Sequence, residues 1–368
     1  MLLMTNKSDC ANEMDAVSNF ALRILKYVES KGSCDYDEED FLKEFDTEGI
    51  WFLTKNTANK NKVQQGMKEL FKLKLSERKE VRIAFEKDYR FSEIIVSEGK
   101  YEFETRKLSK HLLQALKSFL EPFYDIIFSK GAFENIKGLT GRLNRKSFLS
   151  SYVKANPKQT AICPACLDEM KNLKNIVNKE EEEIIEIIGD VDHYFLKSEY
   201  PILSVSPDNL IPMCKACNQS LKHTKNPINE SENYCVSSAF YPYKGTGMSQ
   251  IKLDFSGNNV TVIPKETSNL KQEERIKNMN RLFKIEQNWT SGLERIRLIR
   301  LEAFAADLRS NFTLEELTHK IESEWQASKR FATVFPGQFL AMHYWEWVLK
   351  NNLHQVMNEV REIQGLKS

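Results

Sequence analysis

The chain has 368 residues and a formal net charge of +1 at neutral pH. Hydrophobic residues make up 41% and aromatics 11%, enough for a real core and too much for a chain disordered throughout. The near-zero charge argues against a uniformly basic nucleic-acid-coating protein, so any phosphate footprint must come from local clusters of Lys and Arg. Length predicts one to three domains, with two preferred. No apolar run reaches the roughly 18 residues of a membrane span. The N-terminal MLLMTNKSDCANEMD has no basic region ahead of a long apolar stretch, so a cytoplasmic location is expected.

In chain order, residues 1–15 read as a loose tail. From Ala16 to Ser30, Val17, Phe20, Ala21, Ile24, Leu25 and Val28 recur at helical spacing. Shorter helices are predicted over Glu38–Phe45 and Val63–Leu73. Residues 75–105 leave strand and helix open: VRIAF and YEFET fit strands around a Ser97-Glu98-Gly99 turn, while SERKEVRIAFEKDYRF fits a helix. A strong helix is predicted from Leu108 to Ser129, kinked or split by Pro122. Residues 130–160 gather Lys137, Arg142, Arg145, Lys146, Lys154 and Lys158, either as solvated surface or as phosphate contacts. Glu180 to Glu183 read as a solvated acidic face. IKLDFSGNNVTVI predicts a hairpin turning at Ser256-Gly257-Asn258. Helices are expected over 268–310, 313–325 and 336–363, with Trp345 and Trp347 as core or interface residues.

Seven cysteines are present, and four form two C-x-x-C pairs, Cys163/Cys166 and Cys214/Cys217. Two such pairs supply the four thiolates of a tetrahedral zinc site. A zinc with four thiolates has no open position, so it would be structural. Cys10, Cys34 and Cys235 read as idle or buried thiols. The 47 residues between the pairs exceed a simple zinc ribbon, so something folded must fill the gap. That gap holds Asp192-His193, with Asn209 sixteen residues beyond the histidine. A carboxylate suits a hard cation, and a near-neutral imidazole suits water activation.

CPAC at 163–166, VDHYFLKSEYP at 191–201, SVSPDNLIPMCKACN at 204–218 and the following Lys222 together resemble the HNH nuclease family. The resemblance covers residues 160–225. It implies two antiparallel strands and a helix around one metal ion, giving an α+β, mostly helical protein: a small ββα-metal core with a structural zinc, flanked by helical regions. The implied division is 1–130, a mainly helical N-terminal domain; 131–235, the nuclease core; and 236–368, a hairpin and C-terminal helices. It implies His193 as general base, Asn209 as the residue orienting the base or its loop, and Asp192 and Asn218 as ligands of a catalytic Mg2+ or Mn2+. Asp190 would stand behind them. The family usually carries Lys three residues after the position of Asn218, where Leu221 stands here, and His223 rivals Asn218 for the last motif position.

The activity so implied is hydrolysis of phosphodiester bonds, most readily in DNA. The core followed by Tyr241-Pro242-Tyr243 resembles effectors of bacterial anti-phage defence, many of which act beside an ATPase partner. The alternatives are a catalytically silent zinc-stabilised binding or adaptor module, and an RNA-cleaving version of the same site. No membrane partner is expected.

Overall fold

The computed structural model describes residues 2–55, 60–91, 101–158, 162–170, 172–175, 184–187, 190–229, 231, 234–244, 247–266 and 269–366. Among the described residues, six helices come first: α1 (Ala11–Ser30), α2 (Glu38–Ile50), α3 (Lys60–Phe71), α4 (Leu75–Asp88), α5 (Lys110–Asp125) and α6 (Arg145–Ala155). Three antiparallel strand pairs follow: β1 (Asn172–Asn175) with β2 (Ile184–Ile187), β3 (Asp190–His193) with β4 (Leu210–Met213), and β5 (Ile251–Ser256) with β6 (Asn259–Pro264). The chain continues through α7 (Leu270–Phe283), α8 (Ile285–Asp307), α9 (Leu314–Phe331), α10 (Gln338–Asn351) and α11 (Leu353–Ile363). The protein is therefore mostly helical with small antiparallel sheets. Buried apolar residues from Leu2 to Val360 form one contiguous cluster, so all three segments expected from sequence contribute to a shared core. Among the described residues, no helix is long and apolar enough to cross a membrane.

α1 buries the face its periodicity predicts, and Phe20 meets Phe52 edge-on at 5.2 Å. Residues 75–88 form one helix because Arg78, Val81, Ala84, Phe85 and Asp88 recur at helical spacing on its buried side. VRIAF is thus helical, and YEFET runs into a 3-10 turn at Glu104–Lys107 rather than a strand. Buried Arg78 donates to the carbonyls of Leu73, Val28, Gly32, Cys34 and Phe71, gathering the ends of α1 and α3 around one cation. Ser97-Glu98-Gly99 and Glu180–Glu183 lie outside the described residues.

One expectation is corrected. Residues 2–8 are not a loose tail: Leu2 and Leu3 are buried, and both their amides donate to the Pro164 carbonyl, at 3.0 and 3.1 Å. Thr5 N–H donates to Pro242 O, and Lys7 pairs with Asp208. These contacts are far away in sequence, so no local pattern reveals them. Pro122 does not split α5, which continues to Asp125 and widens into a π-helical turn at Ile126–Lys130. Proline has no amide to offer the Ser118 carbonyl. Gly66 of α3 packs against that stretch, so close that a Cβ there would lie 2.5 Å from Ser118 O and 2.8 Å from Phe119 Cα.

The C-terminal half follows its turn chemistry. Ser256 pairs with Asn259 across the Gly257-Asn258 turn, and Gly257 takes φ +58°. Lys284, with φ 48°, breaks the long helical stretch into α7 and α8. Trp345 is fully buried and Trp347 half-buried against Phe255.

The α3–α5 contact is sharply testable. Gly66→Ala forces backbone apart and should lower stability by about 1–3 kcal/mol. Gly141→Ala meets nothing within 4 Å and should leave the melting temperature within a degree or so of wild type. Equal melting temperatures for the two variants would contradict this packing.

Candidate active site and metal centre

The four C-x-x-C thiols converge as expected. The sulfurs of Cys163, Cys166, Cys214 and Cys217 all lie within 4.8 Å of one another, close enough to hold a metal ion. The Cys166 and Cys214 sulfurs are 3.9 Å apart. A tetrahedral metal with sulfur at about 2.3 Å needs sulfur separations of about 3.8 Å, so the donor set fits. Two backbone amides point at sulfur: Cys214 N–H at Cys163 Sγ and Cys217 N–H at Cys214 Sγ, both at 3.4 Å. Such donors favour thiolate over thiol. Among the described residues, no other three or more His, Cys, Asp or Glu side chains gather in this way. Cys10, Cys34 and Cys235 stand apart as free thiols.

Between the two knuckles, β3 and β4 pair antiparallel, with Asp192 opposite Ile211 and His193 opposite Leu210. A π-helical turn, Ala216–Lys222, follows β4 and returns over β3: Gln219 donates to Asp190 at 2.6 Å. Strand, strand and helical turn thus stack in that order. Asp190 and Asp192 share one face of β3, and His193 takes the other.

His193 is 8% exposed, and its Nε2 lies 3.0 Å from the Ser204 carbonyl. A carbonyl only accepts, which assigns the proton to Nε2 and leaves the lone pair on Nδ1. Burial pulls the imidazole down to about 3, with Lys197 and Lys222 adding to the effect, so it is neutral at pH 7. The ring also packs against Tyr124 of α5, with centroids 4.6 Å apart and the planes tilted at 52°. Tyr124 and Ser204 bear directly on the histidine, and sequence reasoning missed both. The signal existed only for Tyr124, an aromatic residue near the end of a strongly amphipathic helix.

Asn209 is fully buried, and its side chain is fully used. Oδ1 accepts from Phe195 N–H at 2.7 Å, and Nδ2 donates to Phe195 O and Leu203 O at 2.9 and 3.1 Å. It therefore pins both ends of the loop that carries Ser204 back to His193.

Asp192 is buried and faces Lys222, whose ammonium lies 3.2 Å from Oδ1 and 2.9 Å from Oδ2 and donates to His193 O at 2.8 Å. Lys222 is fully buried, so it is not a surface phosphate contact. Burial raises the Asp192 carboxyl to about 6 while the Lys222 charge holds it down, leaving it mostly ionised at neutral pH. Asn218 sits half-buried on the helical turn, and its side chain makes no hydrogen bond to a described residue. The structure therefore brings Asp192 to Lys222, with Asn218 on the same overlying turn. His223 is exposed and ends the turn with φ 43°.

Asn209→Ala would remove three buried hydrogen bonds and should cost on the order of 3 kcal/mol, with amide exchange at Phe195 accelerated. Unchanged protection there would contradict the pin. Cys214→Ser should deplete bound metal, read by elemental analysis, and weaken the cooperative unfolding transition. A variant with full metal content and wild-type melting would refute the clamp. Compared with known proteins, the chain matches no family model, no curated protein and no solved structure.

Proposed function

We propose that this chain is a metal-dependent nuclease of the HNH type, hydrolysing phosphodiester bonds, with DNA as the first substrate to test. One observation carries the proposal: His193, its Nε2 bound to the Ser204 carbonyl so that Nδ1 keeps the lone pair, follows a buried carboxylate on a strand–strand–helical turn unit whose ends bear four converging thiols. Zinc suits the four-sulfur site, where it would hold the fold. Asp192 and Asn218 offer oxygen donors for Mg2+ or Mn2+, which would neutralise charge on the scissile phosphate and leaving oxygen. His193 Nδ1 then takes the proton of the attacking water, while the Ser204 carbonyl, bound to Nε2–H, steadies the imidazolium that forms. Asn209 keeps that carbonyl in place. The role in anti-phage defence, the ATPase partner and the cytoplasmic location rest on sequence alone.

A second proposal is favoured by a specific contact. The Lys222 ammonium already neutralises Asp192, and Asp192 and His193 take their partners from opposite faces of β3. Both features suit a zinc-stabilised binding or adaptor module without catalysis.

Plasmid incubation with Mg2+ or Mn2+ separates the two. The wild type should nick or linearise DNA, and His193→Ala should lose about 100-fold or more of that rate while still unfolding cooperatively, at a melting temperature lowered by loss of the buried Ser204 contact. Equal rates for the two proteins, or none from the wild type, would favour the adaptor. RNA incubated in parallel decides the sugar.

A further inference from the structure

We propose that Lys197 is the cation that seats the phosphodiester backbone beside His193, with the face of Tyr124 as its platform. This rests on the nuclease reading and names a residue for its substrate.

The lysine that the nuclease pattern would bring to the backbone is unavailable to a ligand here, since Lys222 is fully buried and bound to Asp192. Another cation stands near. The Lys197 ammonium lies 3.9 Å from the centroid of the Tyr124 ring, and that ring packs, tilted, against His193 at 4.6 Å. Its distance from the imidazole is therefore at most the sum of those two separations. Lys197 is solvent-exposed and makes no ion pair with a described residue. Asp125, an acidic neighbour, pairs instead with Lys62 at 2.7 Å.

Lys197 is also fixed in place. It lies four residues after His193, in the loop whose ends Asn209 pins, and Tyr200 N–H closes the turn on Leu196 O at 2.8 Å. Tyr124 is held in turn by Phe128, its ring stacked at 4.8 Å. Desolvation pushes the Lys197 pKa down, with Asp125 and Glu121 opposing and Lys117 and Lys62 adding to it, so the nearby carboxylates do not make up for the water lost. A phosphate supplies the missing counter-charge, and an ammonium on an aromatic face stays ordered without a carboxylate partner to displace.

The test is binding of a short DNA duplex by the full chain in magnesium-free buffer, measured across salt concentrations. Lys197→Met should reduce the slope of log affinity against log salt by about 0.9, the loss of one phosphate contact. Lys197→Arg should restore it. Both variants should melt with the wild type, because the side chain is exposed. A Lys197→Met slope equal to wild type, or a wild type that does not bind the duplex, overturns the proposal. The nuclease reading is judged separately by the His193→Ala cleavage comparison, so binding through Lys197 without cleavage would retain the one and lose the other.

Discussion

Four sulfur atoms meet at the two ends of a loop of almost fifty residues, close enough to hold a metal ion. Cys163 and Cys166 sit on one knuckle, Cys214 and Cys217 on the other, and their sulfurs meet within 4.8 Å. A metal held there would crosslink the chain over this span and remove a large share of the unfolded chain's freedom. The first knuckle also works as a hub. Leu2 and Leu3 hydrogen-bond to Pro164 in the first knuckle, and the Trp289 indole of α8 donates to Cys166 O at 3.0 Å. Gly337, just before α10, donates to Leu167 O. N-terminal strap, central strands and C-terminal helices are all referenced to the same few residues. For that reason a cysteine substitution should be felt well beyond its own side chain.

Between the two knuckles many buried polar groups are matched, while the Ser204 and Ser206 hydroxyls are buried without a hydrogen-bond partner among the described residues. Asn209 satisfies Phe195 and Leu203, His193 is satisfied by Ser204, and Lys222 by Asp192 and the His193 carbonyl. Tyr241 and Tyr243 add hydroxyl donors to the carbonyls of Asp208 and Leu210, bracing the start of β4 from outside. Each unmatched group in such a place would cost about 1–3 kcal/mol. The network therefore fixes the position of His193 far more tightly than a surface loop would.

The sequence was informative where signals are local or chemically unusual. The α1 stripe, the Gly257-Asn258 hairpin and the paired cysteines could each be read without a structure, because helical periodicity, turn conformation and thiolate chemistry act within a few residues. The VRIAF run could not, since so short a stretch satisfies both periods. Its helical spacing emerges only when Arg78, Val81, Ala84, Phe85 and Asp88 are weighed together over the whole of α4. The strap at 2–8 was invisible because its partners stand at Pro164 and Pro242. At the candidate site, the sequence places Asp192, His193 and Asn209 between the cysteine pairs, while Lys222 as a partner of Asp192 is not legible. Nothing in a sequence shows that a lysine will be fully buried and turned back onto a strand.

That burial sets the central tension of the molecule. Asp192 has room for one dominant positive partner, and Lys222 already lies against both its oxygens. Removing a partner from a buried ion pair costs about 3–5 kcal/mol, so a metal ion must offer Asp192 at least as much as the ammonium does. On the nuclease proposal, a divalent ion would carry twice the charge, and Asn218 and a phosphate oxygen would be the further donors able to offset the cost. Metal binding at Asp192 would then be coupled to substrate, with the Lys222 pair holding the carboxylate in position without it.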